Sequence, residues 1–194
     1  MIDKLVVIGV GLIGGSVALT LKKAGYVKTV VGVGRNRPNL ERAMEIGAID
    51  EISDINSPVE GASVVLLATP VRQNYNILQK LAWAVDRGVV ITDAGSTKRD
   101  FVRSVQTLYP KSCTRIVPGH PIAGAERVGV EAAHDELFKD KMVILTPFSK
   151  TDKRALRTVE NLWKVCGANL TKLSVERHDS IFSSVSHLPH VLAY

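Results

Sequence analysis

Three short runs of this sequence carry side chains able to move a proton or hold a polar substrate. They are Asp93-Ala94-Gly95-Ser96-Thr97-Lys98, Gly119-His120-Pro121-Ile122-Ala123-Gly124-Ala125-Glu126, and Ser186-His187-Leu188-Pro189-His190. Imidazole is the side chain whose ordinary pKa lies nearest neutrality, so the histidines are the natural acid–base candidates. His120 stands among glycines and prolines that fix the backbone and clear space around its ring. Thr97-x-x-Asp100 predicts a capping box for the following helix, which accounts for Thr97 and leaves Ser96, after a glycine, without a structural task. Glu126 reads either as a pocket carboxylate or as a plain surface charge. His187 and His190 are three apart and share a helix face. That spacing also suits metal ligands. With no cysteine nearby and only Asp179 eight residues before His187, the set falls short of the three or four ligands zinc takes, so substrate contact is preferred and no metal is assigned.

A different chemistry is written at the front. Gly9-Val10-Gly11-Leu12-Ile13-Gly14 is G-x-G-x-x-G between a strand-like run and a helix-like one. In that context the first glycine allows a tight turn and the second lets backbone approach a pyrophosphate. The third lets helix and strand pack closely, with the anion on the helix N-terminus. The alternative is a glycine-rich turn without a ligand. Gly34 stands where an NAD-type protein carries an acid for the ribose 2′-hydroxyl, and Arg35-Asn36-Arg37 follows it. Guanidinium forks suit a 2′-phosphate, so NADP is the expected cofactor, with NAD as the alternative; the bland reading makes Arg35 and Arg37 solvated loop charges.

The elements that position these residues alternate. Apolar runs at 4–8, 29–33, 63–68, 89–92, 116–117, 142–145 and 170–173 read as strands. Amphipathic stretches at 12–24, 40–46, 72–85, 98–108 and 152–165 read as helices, and 118–124 as a Gly/Pro-rich loop. This predicts an α/β fold: a doubly wound, mostly parallel sheet of the Rossmann type over residues 1–173. The stretch 175–194 reads helical with no strand after it, as the first helix of a helical substrate and dimerisation domain over 174–194.

Composition trims the list of functions. Of 194 residues 45% are apolar and 23% charged, an ordinary globular balance. The formal charge of +6 admits an anionic partner, but aromatics are 5% and the basic residues are scattered, so no nucleic-acid partner is expected. The charge-free stretch 5–21 is short for a membrane span and broken by glycines, so neither anchor nor targeting segment is expected. Two cysteines, Cys113 and Cys166, suit a reducing, cytoplasmic setting.

Taken together, Gly9-x-Gly11-x-x-Gly14, Ala68-Thr69-Pro70, Asp93-x-Gly95-Ser96-x-Lys98, Gly119-His120-Pro121-x-Ala123-Gly124-x-Glu126 and Val185-Ser186-His187-Leu188-Pro189-His190 resemble the prephenate and arogenate dehydrogenases of tyrosine biosynthesis across essentially the whole chain. The resemblance implies an NAD(P)-dependent oxidative decarboxylation of a cyclohexadienol, with prephenate or arogenate as substrate. It implies that His120 accepts the hydrogen bond of the ring hydroxyl and that Ser96 bonds the same oxygen. Glu126, Ser186, His187 and His190 would line the substrate pocket. Gly9, Gly11, Leu12, Ile13, Gly14, Gly34, Arg35, Asn36, Thr69 and Pro70 would hold the cofactor. The family also carries a helical domain through which it forms homodimers, with an arginine for a substrate carboxylate; these residues stop four past His190, so that part is expected to be absent. A catalytically silent nucleotide-sensing module is the competing reading, against which His120 and Ser96 argue, since a sensor needs neither. Hydroxy-acid dehydrogenases share the expected fold but leave the histidine runs unexplained.

Overall fold

The computed structural model describes residues 1–57, 59–124 and 128–183. Its first strand, β1 (Ile2–Ile8), shows how the core forms. Leu5 and Val7 face one apolar cluster while Val6 and Ile8 face the other. A strand buried on both faces reads as a continuous apolar run, which is the habit of parallel sheets covered by helices. β2 (Val27–Val33), β3 (Glu51–Ser53), β4 (Val64–Leu67), β5 (Val90–Asp93) and β6 (Ile116–Val117) complete a six-stranded parallel sheet in the order β3-β2-β1-β4-β5-β6. Helices α1 (Leu12–Lys23) and α6 (Lys153–Val165) cover one face through Val17, Leu21, Val159 and Trp163. On the other face lie α3 (Asn74–Lys80), α4 (Ala82–Asp86) and α5 (Arg99–Leu108), with Leu78, Ala84, Phe101 and Val105 inward. α2 (Arg37–Glu45) follows β2. This is the Rossmann-type α/β architecture, and its strand order reverses between β1 and β4, the place where such sheets open a ligand crevice.

Several expectations need correction. The runs at 142–145 and 170–173 do not extend the main sheet. They form β8 (Met142–Leu145) and β9 (Asn169–Lys172) of a separate three-stranded sheet whose third member, β7 (Gly119–Pro121), lies inside the segment read as loop. His120 pairs with Ile144 across the antiparallel β7–β8 ladder. Pro118 lacks an N–H and ends pairing after the two residues of β6, so the chain changes sheets there. β3 has no sequence signature, because three edge residues, Glu51 exposed and Ile52 and Ser53 half-buried, leave no periodicity to detect. The helix expected at 72–85 is a 3₁₀ turn at Val71–Gln73 followed by α3 and α4, broken at Leu81. α2 begins three residues earlier than expected, capped by the Asn36 side chain with Pro38 in its first turn.

The capping box at Thr97 is also overturned. The first turn of α5 has no cap from its own segment; its N–H groups are met from the far end of the chain, by Asp179 of α7 (Val175–Phe182). α7 starts where the second unit was expected, with Ser174 accepting the Arg177 N–H. Residues 184–194 lie outside the described residues. Among the described residues no helix is long and apolar enough to cross a membrane.

Candidate active site

At the strand-order reversal the glycine turn sits directly on the end of β4. Gly9 has φ +93°, and a Cβ there would meet the Ala68 carbonyl oxygen at 2.6 Å. A Cβ on Gly14 would collide with the Gly9 carbonyl and lie 2.7 Å from Val7. These two glycines are structural necessities of the turn. Gly11 differs: a Cβ there meets nothing within 4 Å, because it points into an open groove of about 820 Å³. Gly9, Gly11, Gly34, Arg35, Asn36, Thr69 and Pro70 line that groove; Leu12, Ile13 and Gly14 do not, and Leu12 and Ile13 pack on the core. Asn39, Asp54, Gln73 and Lys80 line it too, and no motif pointed to them. Asn39 is a local tie. Its amide donates to the Val10 carbonyl at 2.6 Å, its backbone N–H goes to Asn36 Oδ1 at 3.1 Å, and its own oxygen accepts the Val130 N–H at 3.4 Å.

The groove fits a dinucleotide. α1 opens on Gly11 with no side-chain cap, so its first N–H groups remain for an anion. Thr69 Oγ1, buried in the same groove, has no hydrogen-bond partner among the described residues. No carboxylate follows β2, where Gly34 and Arg35 are exposed. Arg37 is held by Glu41 at 2.8 Å and Arg42 by Glu131 at 2.6 Å, leaving Arg35 as the guanidinium of this turn that borders the groove.

Beside the groove, one buried carboxylate gathers the two chemistry-bearing runs. Asp93 ends β5, fully enclosed, and its Oδ2 accepts the Gly95 N–H at 2.9 Å and Lys98 Nζ at 2.5 Å. Its Oδ1 accepts the Gly119 N–H at 3.1 Å, and Lys98 Nζ returns to the Gly119 carbonyl at 2.7 Å. Gly95 precedes Ser96 and Gly119 precedes His120, so the pair stitches both runs together one residue away from each candidate. Burial pushes the Asp93 carboxyl up and the Lys98 ammonium down; the mutual contact and the glycine N–H groups push back. Ser96 itself is exposed, on the turn leading into α5.

His120 is nearly buried, and its Nδ1 lies 2.8 Å from Nε2 of His178. His178 Nδ1 lies 2.7 Å from Asp179 Oδ1. Phe182 packs edge-on against His120, ring centres 5.1 Å apart, and walls off His178 at 4.9 Å. Burial holds the His178 imidazole below its ordinary pKa, against the pull of Asp179. Burial raises the Asp179 carboxyl, but the N–H groups of Lys98 and Arg99 and the His178 ring outweigh it and hold it below the usual carboxylate range. Neither residue was picked out for this site, although the adjacent His178-Asp179 pair was a visible signal. Glu126, Ser186, His187 and His190 lie outside the described residues, as does the metal reading once weighed for the last two; among the described residues no metal-binding group forms.

Comparison with known proteins follows the same lines. Residues 17–172 match the family described as prephenate dehydrogenase, nucleotide-binding domain. A prephenate dehydrogenase of Bacillus subtilis is 40% identical over 100% of this chain and 52% of its own length. A cyclohexadienyl dehydrogenase of Zymomonas mobilis is 36% identical over 97% of this chain and 64% of its own. The chain thus spans between about half and two thirds of the curated relatives it matches. The crystal structure of prephenate dehydrogenase from Aquifex aeolicus, in complex with hydroxyphenyl propionate and NAD+, superposes with a TM-score of 0.89 at 35% identity, covering 100% of this chain and 67% of that one.

Proposed function

The chain belongs to the prephenate dehydrogenase family, and from that premise we propose that it is the dinucleotide-binding and catalytic part of an enzyme that oxidatively decarboxylates prephenate or arogenate. The observation that carries this reading is the shared carboxylate: Asp93 holds Gly95 and Gly119, the neighbours of Ser96 and His120, at the end of the strand paired with β4, and the residues after β4 line a groove suited to a dinucleotide. When bound, the nicotinamide supplies a hydride acceptor. His120 accepts the hydrogen bond of the ring hydroxyl and draws off its proton as the carbonyl forms and hydride leaves the same carbon. Ser96 bonds that oxygen and steadies the ring. The electrons of the breaking bond to the carboxylate then enter the ring, carbon dioxide departs, and the oxygen regains a proton as the ring becomes aromatic. Aromatisation drives the step, so the protein's main task is orientation. Glu126, Ser186, His187 and His190 complete the substrate pocket on the strength of their sequence motifs alone.

NADP is the preferred cofactor in this reading, supported by Gly34 in place of an acid and by Arg35 at the groove. NAD, bound in the Aquifex aeolicus relative, is the alternative. The unit that begins at 174 is read as the start of a helical domain through which the enzyme pairs as a homodimer. Two free cysteines, Cys113 and Cys166, support a reducing, cytoplasmic setting. The test is a steady-state assay crossing prephenate and arogenate with NADP and NAD. Cofactor binding without turnover of either substrate would leave the silent nucleotide-binding reading in its place.

A further inference from the structure

The geometry points to His178 and Asp179 as positioning residues that set the tautomer of His120, placing its acceptor lone pair on Nε2. The inference rests on the proposed role of His120 as acceptor. Its logic is one of donors. A carboxylate only accepts. Asp179 Oδ1 takes the Lys98 N–H at 2.9 Å and faces His178 Nδ1 at 2.7 Å, while Oδ2 takes the Arg99 N–H at 2.9 Å. The hydrogen in the His178 contact is therefore on Nδ1. In a neutral ring the lone pair is then on Nε2, which lies 2.8 Å from His120 Nδ1. That contact needs a hydrogen from His120 Nδ1, so a neutral His120 keeps its lone pair on Nε2. With both rings neutral, no other assignment satisfies both contacts.

The surroundings of His178 keep it neutral. It is fully buried against Phe182, and among the described residues the groups facing it are His120 from β7, the Asp93 carboxylate at the end of β5, the Lys98 ammonium before α5, and Asp179 on its own helix. Burial and Lys98 disfavour a proton there; Asp179 and Asp93 favour one, and the balance lies towards the neutral ring. Protonation would put a donor on His178 Nε2. His120 would then have to accept at Nδ1 and carry its hydrogen on Nε2, losing the acceptor. The same carboxylate also caps the turn that follows Ser96, so Asp179 acts on both candidate groups from a helix near the other end of the chain.

The test uses the intact enzyme and the variants D179N, H178Q and H178L. Asparagine caps helices as well as aspartate, but its single acceptor oxygen cannot serve both N–H groups and His178. The amide oxygen introduced by H178Q can take the His120 hydrogen; leucine cannot. D179N and H178L should lower kcat by roughly 10²-fold with cofactor KM within about two-fold, and H178Q should recover most of the loss. In protein labelled with ¹⁵N-histidine, His120 should show its hydrogen on Nδ1 in the unmodified protein and in H178Q, and a mixture of tautomers in D179N and H178L. An unchanged His120 tautomer in D179N overturns the inference, as does full kcat with an unshifted acid limb in the pH profile. The spectrum needs no turnover, so failure of the proposed activity and failure of this relay are separately visible. Should H178L not fold, D179N against H178Q decides the matter.

Discussion

Lys98 Nζ lies 2.5 Å from Asp93 Oδ2, with both side chains sealed from solvent. Removing one partner of such a pair leaves a buried charge unmatched, at a cost of about 3–5 kcal/mol. K98M should therefore destabilise the domain by that order in urea unfolding. The double variant D93N/K98M should recover part of it, because neither charge then remains. A K98M loss below about 1 kcal/mol would mean the pair does not hold the two runs together.

Gly11 and Gly14 sit three residues apart in one motif and predict opposite phenotypes. G14A forces a Cβ into the Gly9 carbonyl and Val7, and should lower stability by about 1–3 kcal/mol. G11A places its methyl in open groove from a backbone conformation any residue adopts, so stability should change by no more than about 0.5 kcal/mol. Cofactor affinity should nevertheless fall by roughly tenfold or more, since that methyl occupies the path of the pyrophosphate. Thermal unfolding beside a cofactor titration separates the two effects.

What was legible in the sequence had local causes. The apolar run of β1, the glycine turn and the helix after it each follow from neighbours a few residues apart, and so did the isolation of His120 among glycines and prolines. The missing parts depend on distance along the chain. Lys98 and Asp179 are 81 positions apart, so the cap on α5 has no local signature, whereas Thr97-x-x-Asp100 had one and misled. β7 escaped because Gly119-His120-Pro121 has no alternation; it is a strand only because Met142–Leu145 lies alongside it. The His178-Asp179 pair is adjacent in sequence, but only the approach of β7 brings the His120 ring to His178 Nε2.

Arg35 borders the groove while Arg37 and Arg42 are committed to glutamates. R35A should weaken NADP by about 1.5–3 kcal/mol through lost charge-assisted bonds and leave NAD nearly unchanged. Equal dissociation constants for the two cofactors in the unmodified protein would reverse the NADP assignment.

His120 carries the proposed proton transfer, so H120N should cut kcat by roughly 10²–10⁴-fold with cofactor binding intact. A variant retaining most of its kcat with either prephenate or arogenate would remove His120 from the reaction.

Acid should loosen the fold in two windows, because His178 and Asp179 both titrate lower in the folded protein than in the unfolded chain. A group with a depressed folded pKa contributes stability above its unfolded value, and that contribution drains away as pH falls through the folded one. For His178 the loss begins below about pH 6.5, where the unfolded imidazole starts to bind a proton that the buried ring resists. For Asp179 it begins below about pH 4, where the unfolded carboxyl protonates while the folded one is still accepting the Lys98 and Arg99 N–H groups. Urea unfolding at steps from about pH 8 to about pH 3.5 should show both slopes. H178Q, which cannot titrate, should flatten the first. D179A should be less stable than the unmodified protein by about 0.5–2 kcal/mol near neutrality, the worth of a lost helix cap. That gap should narrow below about pH 4, because the unmodified protein loses the same interaction there. A gap that stays constant down to the lowest pH would mean the Asp179 carboxylate contributes nothing through its charge.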